Sequence, residues 1–558
     1  MAFQLADLFE IVAAEVPDRV ALIAGDMRVT YRELDEQTNR FASALDTLGV
    51  GVGDPIGIYA TNCGELVIAM IGAWKRRSVP VVVNARASAR ELDEIASDAA
   101  FAALVCDDAH AATVAASEAR ARLGDDHLMV IDRGVALEGA HDFATLLQRA
   151  DASQRFTPRS NDDHYVLYTG GTTGRPKGVV WRHEDIFQSA TAGGNPGGPA
   201  ITEPEQLAEV VTVNKASRIG PFLPPGDPGP DQFVSLSLGP LSHASGQWGM
   251  FGTLLAGGTL VLYTRASVDM AYVLELVTRE HITMLTLVGD ASARPLLDEL
   301  DAQPDRYDTS SLRLFGSGGT ILTASVKRRL LDVVPTALAV LEAVGASESP
   351  SQAVAVLTRD GQTGSSLTFN LKAESMIVDD NLKPVGVGVV GRLATSGPVP
   401  IGYHNDPERS ASTFVQIDGK RWSIPGDLAY VGEDAMLHLV GRGSLCINTG
   451  GEKVYPEEVE AVLKTHPFVR DAAIVGAAEP RWGQLVTAVV TVDGRARQPA
   501  DLLDDLRAHC RSALAAYKAP RAVVLVDALA RTSAGKLDYP WAREQAAGVT
   551  DGEVRDAR

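Results

Sequence analysis

Between Val20 and Asp107 the chain alternates short apolar runs with amphipathic segments, and no other feature limits its fold as much. "RVALIAGDMRVT" reads as a hairpin turning at Gly25-Asp26. "TYRELDEQTNRFASALDTLG" reads as a helix, with Thr30 and Glu33 at capping-box spacing and Gly49 as its stop. The order then runs strand "PIGIYA", helix "ELVIAMIGAWKR", strand "VPVVVN", helix "ARELDEIASDA", strand "FAALVCD". Strands separated by helices predict a mostly parallel sheet covered on both faces, an α/β fold. The rhythm breaks between Gly193 and Gln232, where "GGNPGGP" and "PFLPPGDPGP" read as a long surface excursion around a short helix at "EPEQLAEVV". It returns through "GTLVLYT", "AYVLELVTREH", "ITMLTLV" and "SVKRRLLDVV", and from about Ser366 strands dominate. After Arg442 a short module reads helix, strand, strand, helix, strand, as suits a small α+β domain. The expected division is a large N-terminal domain at 1–441, with parallel-sheet subdomains and a β-rich subdomain, a small C-terminal domain at 442–545, and a loose polar tail at 546–558.

The 558 residues exceed what one hydrophobic core serves. Lys and Arg number 51 against 71 Asp and Glu, a net charge of −20 that repels nucleic acid and anionic membrane surfaces but not a small anion in a local positive pocket. The four cysteines, Cys63, Cys106, Cys446 and Cys510, are scattered and form no CxxC pair, a pattern that fits the reducing cytoplasm. The N-terminus lacks a basic n-region, and no apolar run reaches the ~18 residues of a transmembrane span. The expectation is a cytoplasmic protein; the sequence leaves its oligomeric state open, a homo-oligomer included.

The stretch "YTGGTTGRPKGV", Tyr168 to Val179, gathers glycines, small hydroxyls and one cation in a single bend. It is not a Walker loop, since Arg175 and Pro176 separate Gly174 from Lys177 and Gly178 follows the lysine. The ingredients of a phosphate cradle remain. Gly170, Gly171 and Gly174 let backbone amides approach an anion, Thr169, Thr172 and Thr173 offer hydroxyls, and Lys177 adds charge or anchors the loop. A flexible surface turn is the bland alternative. Two other patterns lead nowhere: Gly386, Gly388 and Gly391 have dinucleotide-fingerprint spacing without a following helix, and "HED" at His183–Asp185 lacks a second His for a zinc site.

"YTGGTTGRPKG" resembles the signature loop of the adenylate-forming superfamily, which includes acyl-CoA synthetases, peptide-synthetase adenylation domains and luciferases. Further strings follow in that family's order over nearly the whole chain. "PLSHASGQWG" resembles the segment whose His, here His243, lines the acid-binding tunnel, with Trp248 and Gly249 on its wall. "FGSGGT" places Gly318 beside the acyl pocket and adenine, where Val288 and Gly289 are further wall positions. "AVGASE" resembles the family's aromatic-Gly-x-Thr/Ser-Glu motif, which implies Gly345 and Ser347 near the phosphates and Glu348 as the Mg²⁺ ligand. Val344 stands where Tyr more often stacks on adenine. "WSIPGDLAYV" places Asp427 at the ribose. "GRGSLCINTGGEKVYPEEVE" places Arg442 beside ribose and hinge, Ser444 at the hinge, and Gly450 and Gly451 on the face that meets CoA and the acyl group. "RTSAGKLDY" resembles the segment carrying the mobile catalytic lysine, here Lys536, with Ala530 in place of the usual Pro.

The resemblance implies an AMP-forming ligase using ATP, Mg²⁺ and coenzyme A on a small carboxylic acid. "LSHASGQWG" has no Asp to hold a substrate amine, so an apolar acid is expected. "GVVWRHEDIF", "LVGDASARPLLDEL" and "YPWAREQ" resemble the bacterial branch that acts on fatty acids and steroid side-chain acids. A fatty acyl-AMP ligase serving a carrier protein and a non-catalytic nucleotide-binding scaffold are the alternatives.

Overall fold

Helix Tyr31–Thr47 shows how local sequence sets the framework. Thr30 Oγ1 accepts the Glu33 N–H at 3.3 Å while the Glu33 carboxylate accepts the Thr30 N–H at 2.7 Å, closing the capping box. Gly49 ends the helix with φ +75°. Leu34, Thr38, Phe41 and Leu45 share one face and are buried. They meet helix Gly64–Arg76, where Gly72 permits close approach: a Cβ there would lie 2.8 Å from both the Phe41 ring and the Thr38 carbonyl. The computed structural model describes residues 2–131, 134, 137–156, 158–170, 176–195, 198–213, 222–223, 229–361, 367–449, 452–479, 483–493, 499–532 and 535–557.

The alternation builds two sheets. In one, Val79–Val82, Pro55–Tyr59, Ala103–Asp107, Leu128–Ile131 and His141–Asp142 lie side by side, all parallel. In the other, Val20–Ala24 carries its hairpin partner Met27–Thr30 and is followed in parallel by Thr259–Leu262, Val234–Ser237, Met284–Leu287, Leu314–Gly318 and Ala339–Ala346. The sheet turns antiparallel at Ser349–Thr358, so the run dominated by strands begins ahead of the expected Ser366. It continues through Thr368–Leu371, Leu437–Arg442, Asp427–Val431 and Gly391–Ser396. The last of these opens on Gly391, the third glycine of "GVGVVG", so those glycines serve a β connection and no dinucleotide site. A small antiparallel sheet of His164–Gly170, Pro176–Arg182 and Gly402–Tyr403 packs beside Val79–Val82.

The C-terminal module has its own sheet: Glu452–Val454, Ile447–Thr449, Gly483–Val492, Ala522–Leu525 and Val554–Asp556, with Val469–Glu479 also pairing Gly483–Val492. Helices Pro456–Leu463 and Pro499–Ala513 cover one face, and Tyr539–Gln545 covers the other. The expected loose tail is corrected here. Val554–Asp556 pairs in parallel with Ala522–Leu525, and the Ala557 N–H donates to the Leu525 carbonyl at 2.9 Å. Polar composition does not stop a backbone from pairing with an open strand edge, and Val554 packs onto the core of the module. Among the described residues no helix is long and apolar enough to cross a membrane.

Candidate active site

The signature loop is the tip of a hairpin. His164–Gly170 pairs antiparallel with Pro176–Arg182, setting Thr169 opposite Lys177 and Gly170 opposite Pro176. Gly171, Thr172, Thr173 and Gly174 lie outside the described residues. The hairpin base is braced: Tyr168 OH donates to Asp98 Oδ2 at 2.6 Å, and a Cβ on Gly178 would come within 3.0 Å of the Tyr168 ring. Lys177 Nζ sits 5.4 Å from the centroid of the Tyr403 ring, a cation–π contact that orients the ammonium. Burial and the neighbouring Arg409 guanidinium lower its pKa, opposed by Glu348 and Asp406.

Tyr403 also fixes Glu348, donating its hydroxyl to Oε1 at 2.6 Å. Glu348 and Ser347 form the turn between Ala339–Ala346 and Ser349–Thr358. That turn is clamped from outside: Trp181 Nε1–H donates to the Ser347 carbonyl at 3.0 Å and Ser423 Oγ–H to the Glu348 carbonyl at 3.0 Å. Gly345 is required for a steric reason, because a Cβ there would lie 2.3 Å from the Pro350 carbonyl oxygen. Val344 packs at the edge of the β-rich core. The preceding loop is held by two buried carboxylates. Glu342 Oε1 accepts the Leu322 N–H at 3.1 Å and Asp290 Oδ1 accepts the Thr323 N–H at 2.8 Å, which fixes the chain leaving Gly318.

Asp427 starts the strand beside Leu437–Arg442 and is buried, its Oδ1 accepting from Arg442 Nε–H at 3.2 Å. Its Oδ2 is buried with no partner among the described residues. A carboxylate oxygen left unpaired inside a protein is costly unless a ligand uses it.

Lys536 reaches this group from the other region of the chain. Its Cε stands 3.7 Å from the place a Cβ would take on Gly319. Gly535, at φ +74°, turns so tightly against Val288 that a Cβ there would sit 2.8 Å from Val288 Cγ1. The lysine side chain is exposed to water, but the surrounding protein desolvates it in part. That burial and the Arg442 guanidinium lower its pKa, while Asp427 and Glu348 pull upward. His243, at the N-cap of helix Ala244–Leu254, also feels the lysine charge. Burial first, then Lys536, lowers its pKa to about 4, so the imidazole is neutral near pH 7, and Nε2 is buried without a partner among the described residues. Trp248, on the same helix, packs against the main core. His243, Thr169, Ser242, Val82 and Asn84 line a common cavity of about 290 Å³. The backbone of Ser444 lies in the 3₁₀ turn Gly443–Leu445, between the last strand of the large region and the first of the C-terminal sheet. Gly450 and Gly451 lie outside the described residues.

Lys177, Glu348, Asp427, Arg442, His243 and Lys536 are thus brought together. Sequence reasoning assigns no role to Tyr403, Arg409 or Glu457. Tyr403 stands three residues before Asp406, whose carboxylate caps the next helix, but nothing in that local pattern shows that its hydroxyl reaches Glu348.

Comparison with solved structures gives the class first. The chain superposes on an anthranilate CoA ligase in complex with anthranoyl-AMP with a TM-score of 0.81 at 22% identity, covering 98% of this chain and 97% of that one. ATP-bound MatB from Rhodopseudomonas palustris aligns with a TM-score of 0.77 at 25% identity, covering 97% and 98%. This is the fold of adenylate-forming enzymes. The chain belongs to the AMP-binding enzyme family: residues 9–404 match the AMP-binding enzyme model and residues 458–536 its C-terminal domain. It is 36% identical over 557 residues to the 3-oxocholest-4-en-26-oate–CoA ligase of Rhodococcus rhodochrous, covering 98% of this chain and 96% of the relative. It is 37% identical over 555 residues to the medium/long-chain-fatty-acid–CoA/3-oxocholest-4-en-26-oate–CoA ligase of Mycolicibacterium smegmatis, covering 98% and 96%.

Proposed function

We propose that the protein is an AMP-forming acyl-CoA synthetase that activates an apolar carboxylic acid, a medium- or long-chain fatty acid or a steroid side-chain acid, in the cytoplasm. The observation that carries this reading is that Lys536, from the C-terminal module, stands against Gly319 of the large region, within the electrostatic reach of Asp427, Arg442 and Glu348.

A carboxylate is a poor acyl donor because its leaving group would be oxide. Here its oxygen attacks the α-phosphorus of ATP, the bond to pyrophosphate breaks, and the acyl carbon gains AMP as a leaving group. Two anions must approach, so positive charge has to be in place beforehand. Lys536 and Arg442 supply it near the α-phosphate, and Lys177 beside the hairpin loop supplies it near the leaving pyrophosphate. Asp427 Oδ2, without a partner among the described residues, accepts from a ribose hydroxyl. The neutral imidazole of His243 adds no charge of its own beside the acid's path. Glu348 suits a Mg²⁺ carried by the triphosphate, since that ion takes one or two carboxylates and fills its remaining positions with phosphate and water. The described residues hold no cluster of three acidic, His or Cys side chains that would retain an ion without the nucleotide. Bound there, the metal would neutralise triphosphate charge. In the second step the CoA sulfur attacks the acyl carbon and AMP leaves, after the C-terminal module turns about Ser444 and withdraws Lys536.

The test is incubation with ATP, Mg²⁺, CoA and a panel of acids of graded length and ring content, followed by mass analysis. AMP together with acyl-CoA is the expected product. Acyl-adenylate without thioester would instead make the protein an acyl-AMP ligase, and ATP binding without product would make it a scaffold.

A further inference from the structure

Helix Pro456–Leu463 opens just after the hinge, and Glu457 in its first turn points back toward the large region. Glu457 Oε1 accepts the main-chain N–H of Arg442 at 3.2 Å. Oε2 is buried without a partner among the described residues. It packs so closely on Gly441 that a Cβ there would be 2.1 Å away, and Gly441 holds φ +135°. The carboxyl therefore fits a notch that only glycine leaves open.

The contact has a directional consequence. Gly441 and Arg442 precede Ser444 and stay with the large region, whereas Glu457 follows Ser444 and travels with the C-terminal module. Any rotation about Ser444 must break the Glu457–Arg442 bond. Arg442 is also the guanidinium bonded to Asp427 and adjacent to Lys536, so the module grips the large region beside the charge that it delivers.

We propose that Glu457 is a positioning residue, a latch that holds the C-terminal module in the orientation that presents Lys536 for adenylation and lets go before thioester formation. This rests on the two-step reading above.

The groups facing Glu457 are Glu460 on its own helix, Asp427 and Arg442 on the two paired strands, Cys446 after the hinge turn and Tyr539 from the helix on the far side. Burial first, then Glu460, raises its pKa to about 8, so it is a neutral acid in the latched state. A carboxyl whose pKa is raised by latching favours that state fully below its ordinary value. The advantage drains away as pH rises and is spent above about 8.

The experiment separates the half-reactions in the full-length protein. Pyrophosphate exchange into ATP with saturating dodecanoic acid reads the first, and CoA thioester formation from supplied dodecanoyl-AMP reads the second. Glu457→Ala is expected to lose roughly tenfold in exchange while keeping the second reaction, because it loses one buried hydrogen bond and its packing. Glu457→Gln keeps the acceptor and cannot ionise. Its exchange should lie nearest the wild type at the acid end of the assay, and the wild-type-to-variant ratio should already be falling at pH 6, go on falling to about 8 and flatten above. Equal loss of both half-reactions in Glu457→Ala, or a wild-type-to-Gln ratio constant with pH, overturns the latch. The Gln comparison decides the matter even if Glu457→Ala folds poorly. A wild type that exchanges no pyrophosphate with any acid fells the functional reading and the latch together; one that exchanges normally beside an unaffected Glu457→Ala fells the latch alone.

Discussion

Lys536 and His110 illustrate two uses of charge. In the proposed reaction Lys536 stabilises charge that grows only as the acid reaches the α-phosphate. Lys536→Ala should therefore lower adenylation by the ~3 kcal/mol typical of a preorganised charge partner, about two orders of magnitude, while sparing thioester formation from supplied acyl-adenylate. Equal loss in both assays would remove the assignment. His110 does structural work: Nδ1 faces Asp107 Oδ1 and Nε2 faces the Ala85 carbonyl at 2.6 Å. Both partners are acceptors, so the two bonds require the imidazolium form. Burial opposes that form, but Asp107 and the Ala85 carbonyl outweigh it and raise the pKa. The sign follows: the contribution is complete below the ordinary histidine value and disappears as pH rises through the folded-state value. Thermal melts of His110→Gln against wild type should differ most at mildly acidic pH and converge as pH rises; a constant gap would contradict the doubly bonded imidazolium. Residues of this kind divide by legibility. Lys536, Glu348 and Asp427 are visible in sequence because each lies inside a continuous motif. Tyr403, Glu457 and the Asp107–His110 pair are not, since their partners are set by tertiary packing or by a ring orientation that no local pattern encodes.

Among the elements, those shaped by short-range rules are the ones the sequence predicts well. The capping box at Thr30 and Glu33, the turn at Gly25-Asp26 and the alternation through Asp107 all act within a few residues, and the strands and helices fall where those rules put them. The start of the strand-dominated run at Ser349 and the pairing of Val554–Asp556 depend on distant neighbours; the local pattern sets the first too late and misses the second. The contact between helices Tyr31–Thr47 and Gly64–Arg76 is a sharp test of packing at this scale. Gly72→Ala places a methyl against Phe41 and the Thr38 carbonyl, and backbone cannot yield as a side chain tip can. Overpacking of this sort costs about 1–3 kcal/mol, so the melting temperature of so large a region should fall by about 1–3 °C. An unchanged melt would mean that the two helices separate without penalty.

At the scale of the whole molecule, the large region and the C-terminal module meet along a seam that carries both the lysine and the latch. Arg294, bonded to Asp290 beneath the loop after Gly318, also donates to the Lys464 carbonyl at 3.0 Å across that seam. The rotation proposed to exchange half-reactions would break such contacts together, and its proposed pivot falls in the short turn Gly443–Leu445. Ser444→Pro fixes φ and removes a main-chain N–H at that turn. It should slow overall turnover and thioester formation more than pyrophosphate exchange, since exchange needs no rotation; an unaltered overall rate would shift the pivot elsewhere. The docked strand Val554–Asp556 has a practical bearing on how the enzyme is handled. It caps an edge whose neighbouring residues, "AVVLV", would otherwise be an open template for another molecule's backbone. Clipping the final residues, or splicing an affinity tag directly onto them, should cost soluble yield before it costs catalysis.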